Sequence, residues 1–122
     1  MKFALGLALS MIFAGNALAG DKWMPVMETK GGKVELLTGS VMHDSKAMYG
    51  TFQFTTADGQ VIGMAELSDE SCQRGKGSIS IYVDMNKKPG QMDYSEGARD
   101  AGGHIGKVLC AAHDYMKKRG EI

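Results

Sequence analysis

The chain has 122 residues, with 14 basic and 14 acidic side chains, 43% hydrophobic residues, two cysteines and ten methionines. A balanced charge gives no electrostatic pull toward nucleic acid or an anionic membrane surface. The length suits one small domain rather than two.

The first residues have the layout of a secretory leader. Lys2 is followed by an apolar run from Phe3 to Ala14, interrupted by Gly6 and Ser10 and followed by Ala17, Leu18 and Ala19. The run is shorter than the ~20 apolar residues that span a bilayer, and small side chains at Ala17 and Ala19 suit a signal peptidase. Residues 1–19 are thus predicted to be a cleaved signal peptide, with cleavage between Ala19 and Gly20. Residues 20–122 would be a single small globular α+β domain, exported to the periplasm or secreted. The leader holds one Lys and no acid, so its loss leaves 13 basic groups against 14 acidic ones. No later segment reads as a transmembrane span, and no Cys follows the cleavage site to carry a lipid.

Cys72 and Cys110 are the only cysteines. In an oxidising compartment such a pair in a small domain predicts one disulfide. Closing a loop of about 38 residues would stabilise the fold by roughly 4 kcal/mol in the chain-entropy account. No C-x-x-C spacing points instead to a redox or metal site.

The pattern after the leader is β first and α last. Trp23 to Lys30 and Lys33 to Thr38 flank Gly31 and Gly32, a pair suited to positive φ angles in a tight hairpin. A two-residue turn there sets Met27 against Leu36 and Thr29 against Val34, but also Glu28 against Glu35 and Lys30 against Lys33, which is unfavourable. Pro25 suggests an edge strand. Gly39 to Lys46 reads as a loop. Tyr49 to Thr56 and Gln60 to Leu67 flank Asp58 and Gly59, predicting a second hairpin with Phe52 facing Ala65, Phe54 facing Gly63 and Thr56 facing Val61.

Ser68 to Gly77 reads as a surface loop held by the disulfide. Ser78 to Met85 alternates, with Ile79, Ile81, Val83 and Met85 on one face, and predicts a strand. Asn86 to Met92 carries the turn signal Lys87-Lys88-Pro89-Gly90. Asp93, with Glu96 three residues later, suits a helix cap. Ala98, Ala101, Ile105, Val108, Leu109, Ala112 and Met116 form one helical stripe. Lys117, Lys118 and Arg119 suit the last turn and Gly120 the end. Gly97, Gly102, Gly103 and Gly106 each cost about 1 kcal/mol in a helix interior, so residues 94–103 read as helix or loop and the firm helix starts near Gly103. The expected fold is α+β: a small antiparallel sheet of about five strands, two hairpins plus one, with a C-terminal amphipathic helix packed on one face.

No catalytic or cofactor motif stands out from this background. Methionine is abundant, with eight residues after the leader, and thioethers suit Cu(I). Met24 and Met27 near Trp23, and Met42, His43 and Met48, are therefore candidate copper ligands. The competing reading is that Met24, Met27, Met64, Met85 and Met116 fill core gaps. His104 and His113 are nine residues apart and point to opposite sides of one helix. A hydrolytic site at His113 with Asp114, or at His43 with Asp44, would need a serine or thiol brought in by the fold.

Arg74 and Lys76 alternate with Gly75 and Gly77, a loop that could cradle an anion or simply be solvated. Tyr49, Tyr82 and Tyr94 together with Arg74 and Lys76 form a candidate partner surface, because aromatics and Arg dominate binding hot spots. The expected function is an exported, non-enzymatic binding module without a cofactor, an inhibitor or immunity-type protein acting on another macromolecule. The alternatives are a periplasmic copper-binding protein and a small hydrolase.

Overall fold

The computed structural model describes residues 22–122; the leader and the Ala19–Gly20 junction lie outside the described residues. Seven antiparallel strands and two helices follow in the order β1 (Trp23–Thr29), β2 (Gly32–Leu37), β3 (Met42–Asp44), β4 (Ala47–Thr56), β5 (Gly59–Ser68), α1 (Asp69–Arg74), β6 (Lys76–Tyr82), β7 (Gly90–Ser95) and α2 (Ala101–Lys118). The sheet order is β1-β2-β4-β5-β6-β7, with β3 paired to β4. The fold is the expected α+β arrangement, with two strands more than the sequence pattern suggests. Among the described residues no helix is long and apolar enough to cross a membrane.

Both predicted hairpins form, and both are shifted by two residues from the expected register. In the first, Thr29 pairs with Gly32 and Met27 with Val34, so the turn is Lys30-Gly31. In the second, Thr56 pairs with Gly59, Phe54 with Val61 and Phe52 with Gly63, so the turn is Ala57-Asp58. The cause is common to both. The Thr29 hydroxyl accepts from the Gly31 N–H at 3.2 Å, and the Thr56 hydroxyl accepts from the Asp58 N–H at 3.2 Å. Each threonine thus closes a local side-chain turn that starts one residue earlier than a glycine-centred turn would.

Neither Gly31 nor Gly32 has a positive φ. Because the slip is even, the side chains keep their faces in the second hairpin and, from Met27 on, in the first. The shift also sets Glu28 opposite Lys33, which removes the like-charge pairs of the expected register. β1 is at the sheet edge, and its register slips between Pro25 and Met27.

Three segments differ from expectation. Within the predicted loop 39–46, Met42–Asp44 pairs with Ala47–Tyr49 as β3. The segment 68–77 holds the capped helix α1 and the start of β6: the Ser68 hydroxyl accepts from the Ser71 N–H at 3.1 Å, and Gly75 closes α1 at φ 75°. Asp93 is not a helix cap but a strand residue of β7, opposite Ser78. The cap is Asp100, whose Oδ1 accepts from the Gly103 N–H at 2.8 Å. β6 ends at Tyr82, so the alternation through Val83 and Met85 outruns the last strand pair and leaves those side chains 61% and 70% exposed.

The core lies between one face of the sheet and the helices. Val34, Leu36, Met48, Phe52, Ala65, Leu67, Ile79 and Tyr94 meet Ile105 and Leu109 of α2. The α2 glycines make the approach possible: a Cβ on Gly102 would strike the Asp93 carbonyl, and one on Gly106 would strike the Tyr94 ring. The helix-propensity cost of these glycines is offset by the close packing of α2 on β7. Cys72 on α1 and Cys110 on α2 form the disulfide, with Cα atoms 5.4 Å apart. It joins α1 to α2 on this covered side, so the opposite face of the sheet carries no layer among the described residues.

Candidate functional site

Two carboxylates organise the polar chemistry of the molecule. Glu66 stands on β5, with Tyr49 opposite it on β4 and Ser80 on β6. Tyr49 donates its phenol hydrogen to Glu66 Oε2 at 2.9 Å, and Tyr82 donates to Oε1 at 2.7 Å. Such charge-assisted bonds are the stronger kind. They push both phenols above their ordinary range, chiefly because each neutral hydroxyl is held by the Glu66 carboxylate, then by partial burial and by the carboxylate's charge.

All three side chains lie on the uncovered face of the sheet and are half-buried. Gln53 donates to Glu35 Oε1 at 3.0 Å on the neighbouring strand. Among the described residues no Lys, Arg or His lies at ion-pair distance from Glu66.

Asp69, three residues on, is brought to the opposite side of the sheet by the first turn of α1. His43 Nε2 is 2.8 Å from Asp69 Oδ2, a hydrogen bond. His113 Nε2 faces Asp69 Oδ1 at 3.7 Å, and its Nδ1 faces Asp114 Oδ1 at 3.6 Å, both beyond hydrogen-bond length. The two imidazole rings are 6.1 Å apart and tilted by 57°. Asp69 Oδ1 and His113 Nδ1 are buried with no hydrogen-bond partner. Each such orphan costs about 1–3 kcal/mol.

The disulfide sets this geometry. Cys72 is three residues after Asp69 on α1, and Cys110 is three residues before His113 on α2, a spacing that places each cysteine on the same helix face as its neighbour. A cavity of about 170 Å³ beside it is lined by the disulfide with Gln73, Tyr94, Glu96, His113, Asp114 and Lys117. Among the described residues no three His, Cys, Asp or Glu side chains already stand in a geometry that holds a metal ion.

The residues singled out from sequence are dispersed by the fold. Tyr49 and Tyr82 share the open face, but Tyr94 is 4% exposed, packed under α2 on the other side, so it does not belong to a surface with them. Arg74 and Lys76 line an open cavity of about 420 Å³ with Asp93 and with Tyr94, so Arg74, Lys76 and Tyr94 meet there, apart from Tyr49 and Tyr82, and Arg74 lies 3.8 Å from Glu70. The methionines are scattered likewise. Met48 is sealed in the core, Met42 is 50% exposed, and Met24 and Met27 stand on β1, which is not a neighbour of β3 in the sheet.

Of the methionines expected to fill the core, Met27 and Met116 pack against it, whereas Met85 is exposed. His43 meets Asp69 rather than Asp44, and neither imidazole is hydrogen-bonded to a hydroxyl among the described residues.

Glu66 and Asp69 are the functional candidates that the sequence pattern does not mark, whereas Asp114 beside His113 is marked by adjacency. One signal was present for His113: it lies four residues after Leu109 and eight after Ile105, on the buried stripe. No protein family, no curated protein and no solved structure matches the chain.

Proposed function

We propose that the chain is an exported, non-enzymatic binding module, processed between Ala19 and Gly20 into one small domain. It docks a protein partner, as an inhibitor or immunity-type protein does, through the open face of the sheet around Tyr49, Glu66 and Tyr82. The disulfide supports export, since such bonds persist in oxidising compartments.

The observation that carries the binding reading is the state of Glu66. Its two oxygens are oriented by two phenols, the face above it has no protein layer, and no cation of the described chain neutralises it. A half-buried carboxylate prepared in this way suits a Lys or Arg side chain of a partner. Glu35 on the same face and Asp44 close to Tyr49 add acidity that the neighbouring Lys33 offsets only in part.

A photo-cross-linking residue at Thr51, beside this cluster, tests the reading in an envelope extract. One protein adduct is expected, weakened by salt and lost with Glu66→Gln. The same group at exposed Lys107 on α2 should give none. No adduct at Thr51, or equal adducts at both positions, overturns the proposal.

A further inference from the structure

We propose that His43, Asp69 and His113 form a binding site for a borderline divalent metal ion of the zinc class, independent of the docking face. The trio combines two imidazoles and one carboxylate, the donor set that zinc accepts with a coordination position to spare. Bonds of about 2.0–2.2 Å in a tetrahedron place neighbouring donor atoms roughly 3.3 Å apart. The Asp69 carboxylate faces both imidazoles, with Oδ2 2.8 Å from His43 Nε2 and Oδ1 3.7 Å from His113 Nε2, one distance at each oxygen and one on either side of that spacing. Closure onto one ion needs the His43 contact to open, the His113 contact to shorten and the two rings, with centroids 6.1 Å apart, to turn toward a common point.

Two further observations point to an ion. Asp69 Oδ1 and His113 Nδ1 are buried without partners, and His113 itself is only 6% exposed. Orphans of this kind call for an ordered water or an ion. A metal between Asp69 and His113 Nε2 would satisfy the carboxylate and set the imidazole tautomer with hydrogen on Nδ1. That hydrogen then faces Asp114 Oδ1, now 3.6 Å away, in the outer carboxylate–histidine pairing common around ligated histidines. His43 was singled out from sequence for thioether copper chemistry; it pairs across the strands with Met48, but its imidazole nitrogen is bonded to the Asp69 carboxylate.

The disulfide gives the site rigidity without taking part in it. It holds the α1 residue Asp69 and the α2 residue His113 in register, while the β3–β4 turn is tied to α1 by the Asp69 N–H donating to the Lys46 carbonyl at 2.8 Å. That turn directly follows His43. All three donors are thus anchored by links that do not depend on the ion.

The test is titration of the oxidised chain, lacking residues 1–19, with Zn2+ alone, against a chromophoric competitor, with thermal melts in parallel. One ion per chain is expected at micromolar or tighter affinity, together with a raised Tm, and Co2+ should give the visible bands of a four-coordinate site. His43→Gln, Asp69→Asn and His113→Gln should each weaken uptake by at least about 100-fold, and Asp114→Asn by about tenfold. His104→Gln should leave it unchanged, which separates this site from adventitious surface histidine.

If His113→Gln fails to fold, His43→Gln at the less deeply buried histidine and the isosteric Asp69→Asn replacement still decide the matter. Millimolar or weaker uptake overturns the proposal, and so does uptake unaffected by His43→Gln and Asp69→Asn in folded protein. In either case the orphaned atoms are water sites.

Discussion

Glu66 and Asp69 are three residues apart in the chain, yet they lie on opposite sides of the sheet and in opposite electrostatic states. Glu66 ends the outward alternation of β5, where both of its oxygens receive a phenol hydrogen bond. Asp69 begins α1, where one oxygen meets His43 and the other is buried without a partner. The satisfied carboxylate stands on the open face, where the proposed partner cation would reach it. The under-satisfied one is partly exposed, but its orphaned oxygen is buried, which suits water or a small ion. The two proposed recognitions thus rest on the same functional group, placed on opposite sides of one sheet.

The largest expected effect tests whether the two faces differ as described. Phe52→Ala on the covered face should cost about 3–5 kcal/mol in a denaturant melt, whereas Thr51→Ala next to it on the open face should stay within about 0.5 kcal/mol. Comparable losses at the two positions would mean that something covers the outer face. Next in size is Cys72→Ser with Cys110→Ser, which should lower stability by roughly 4 kcal/mol. It should also uncouple Asp69 from His113 without altering the tyrosine titration at Glu66.

Gly106→Ala is a sharper probe of how α2 sits. Helix propensity alone favours Ala by about 1 kcal/mol. The collision of its Cβ with the Tyr94 ring should reverse the sign and give a net loss of about 1–3 kcal/mol. A stabilised variant would show that α2 stands further from β7.

The smallest effect is spectroscopic. Tyr49 and Tyr82 should ionise above the ordinary phenol value near 10, and Glu66→Gln should bring both down, read by alkaline ultraviolet titration. The sign follows from linkage: a raised folded-state pKa means the neutral phenols add stability below about pH 10, lost as pH rises through the raised value.

Much of the fold was legible because it rests on local periodicity. The alternation through Phe52 and Phe54, and the stripe through Ile105 and Leu109, set faces that an even register slip cannot change. Each turn starts one residue before the position that glycine propensity favours, because Thr29 and Thr56 carry the hydrogen bonds that start it. β3 and β7 escaped notice because Met42–Asp44 and Gly90–Ser95 are short and lean on their neighbours rather than on their own propensity. α1 was hidden behind a cysteine read as a loop staple, although Ser68 followed by Asp69 and Glu70 is a helix start.

The sequence by itself determined the α+β class, the pairing of Cys72 with Cys110, both hairpins and the buried stripe of the last helix. These follow from spacing within a few residues, or from there being one possible cysteine pair. Only the tertiary structure decided which polar side chains meet. Tyr49 reaches Glu66, and His43 reaches Asp69 and His113, across separations of 17, 26 and 70 residues. No local periodicity encodes such distances. They are set by the stacking of β4 on β5, by the turn of α1 and by the disulfide that holds α1 to α2.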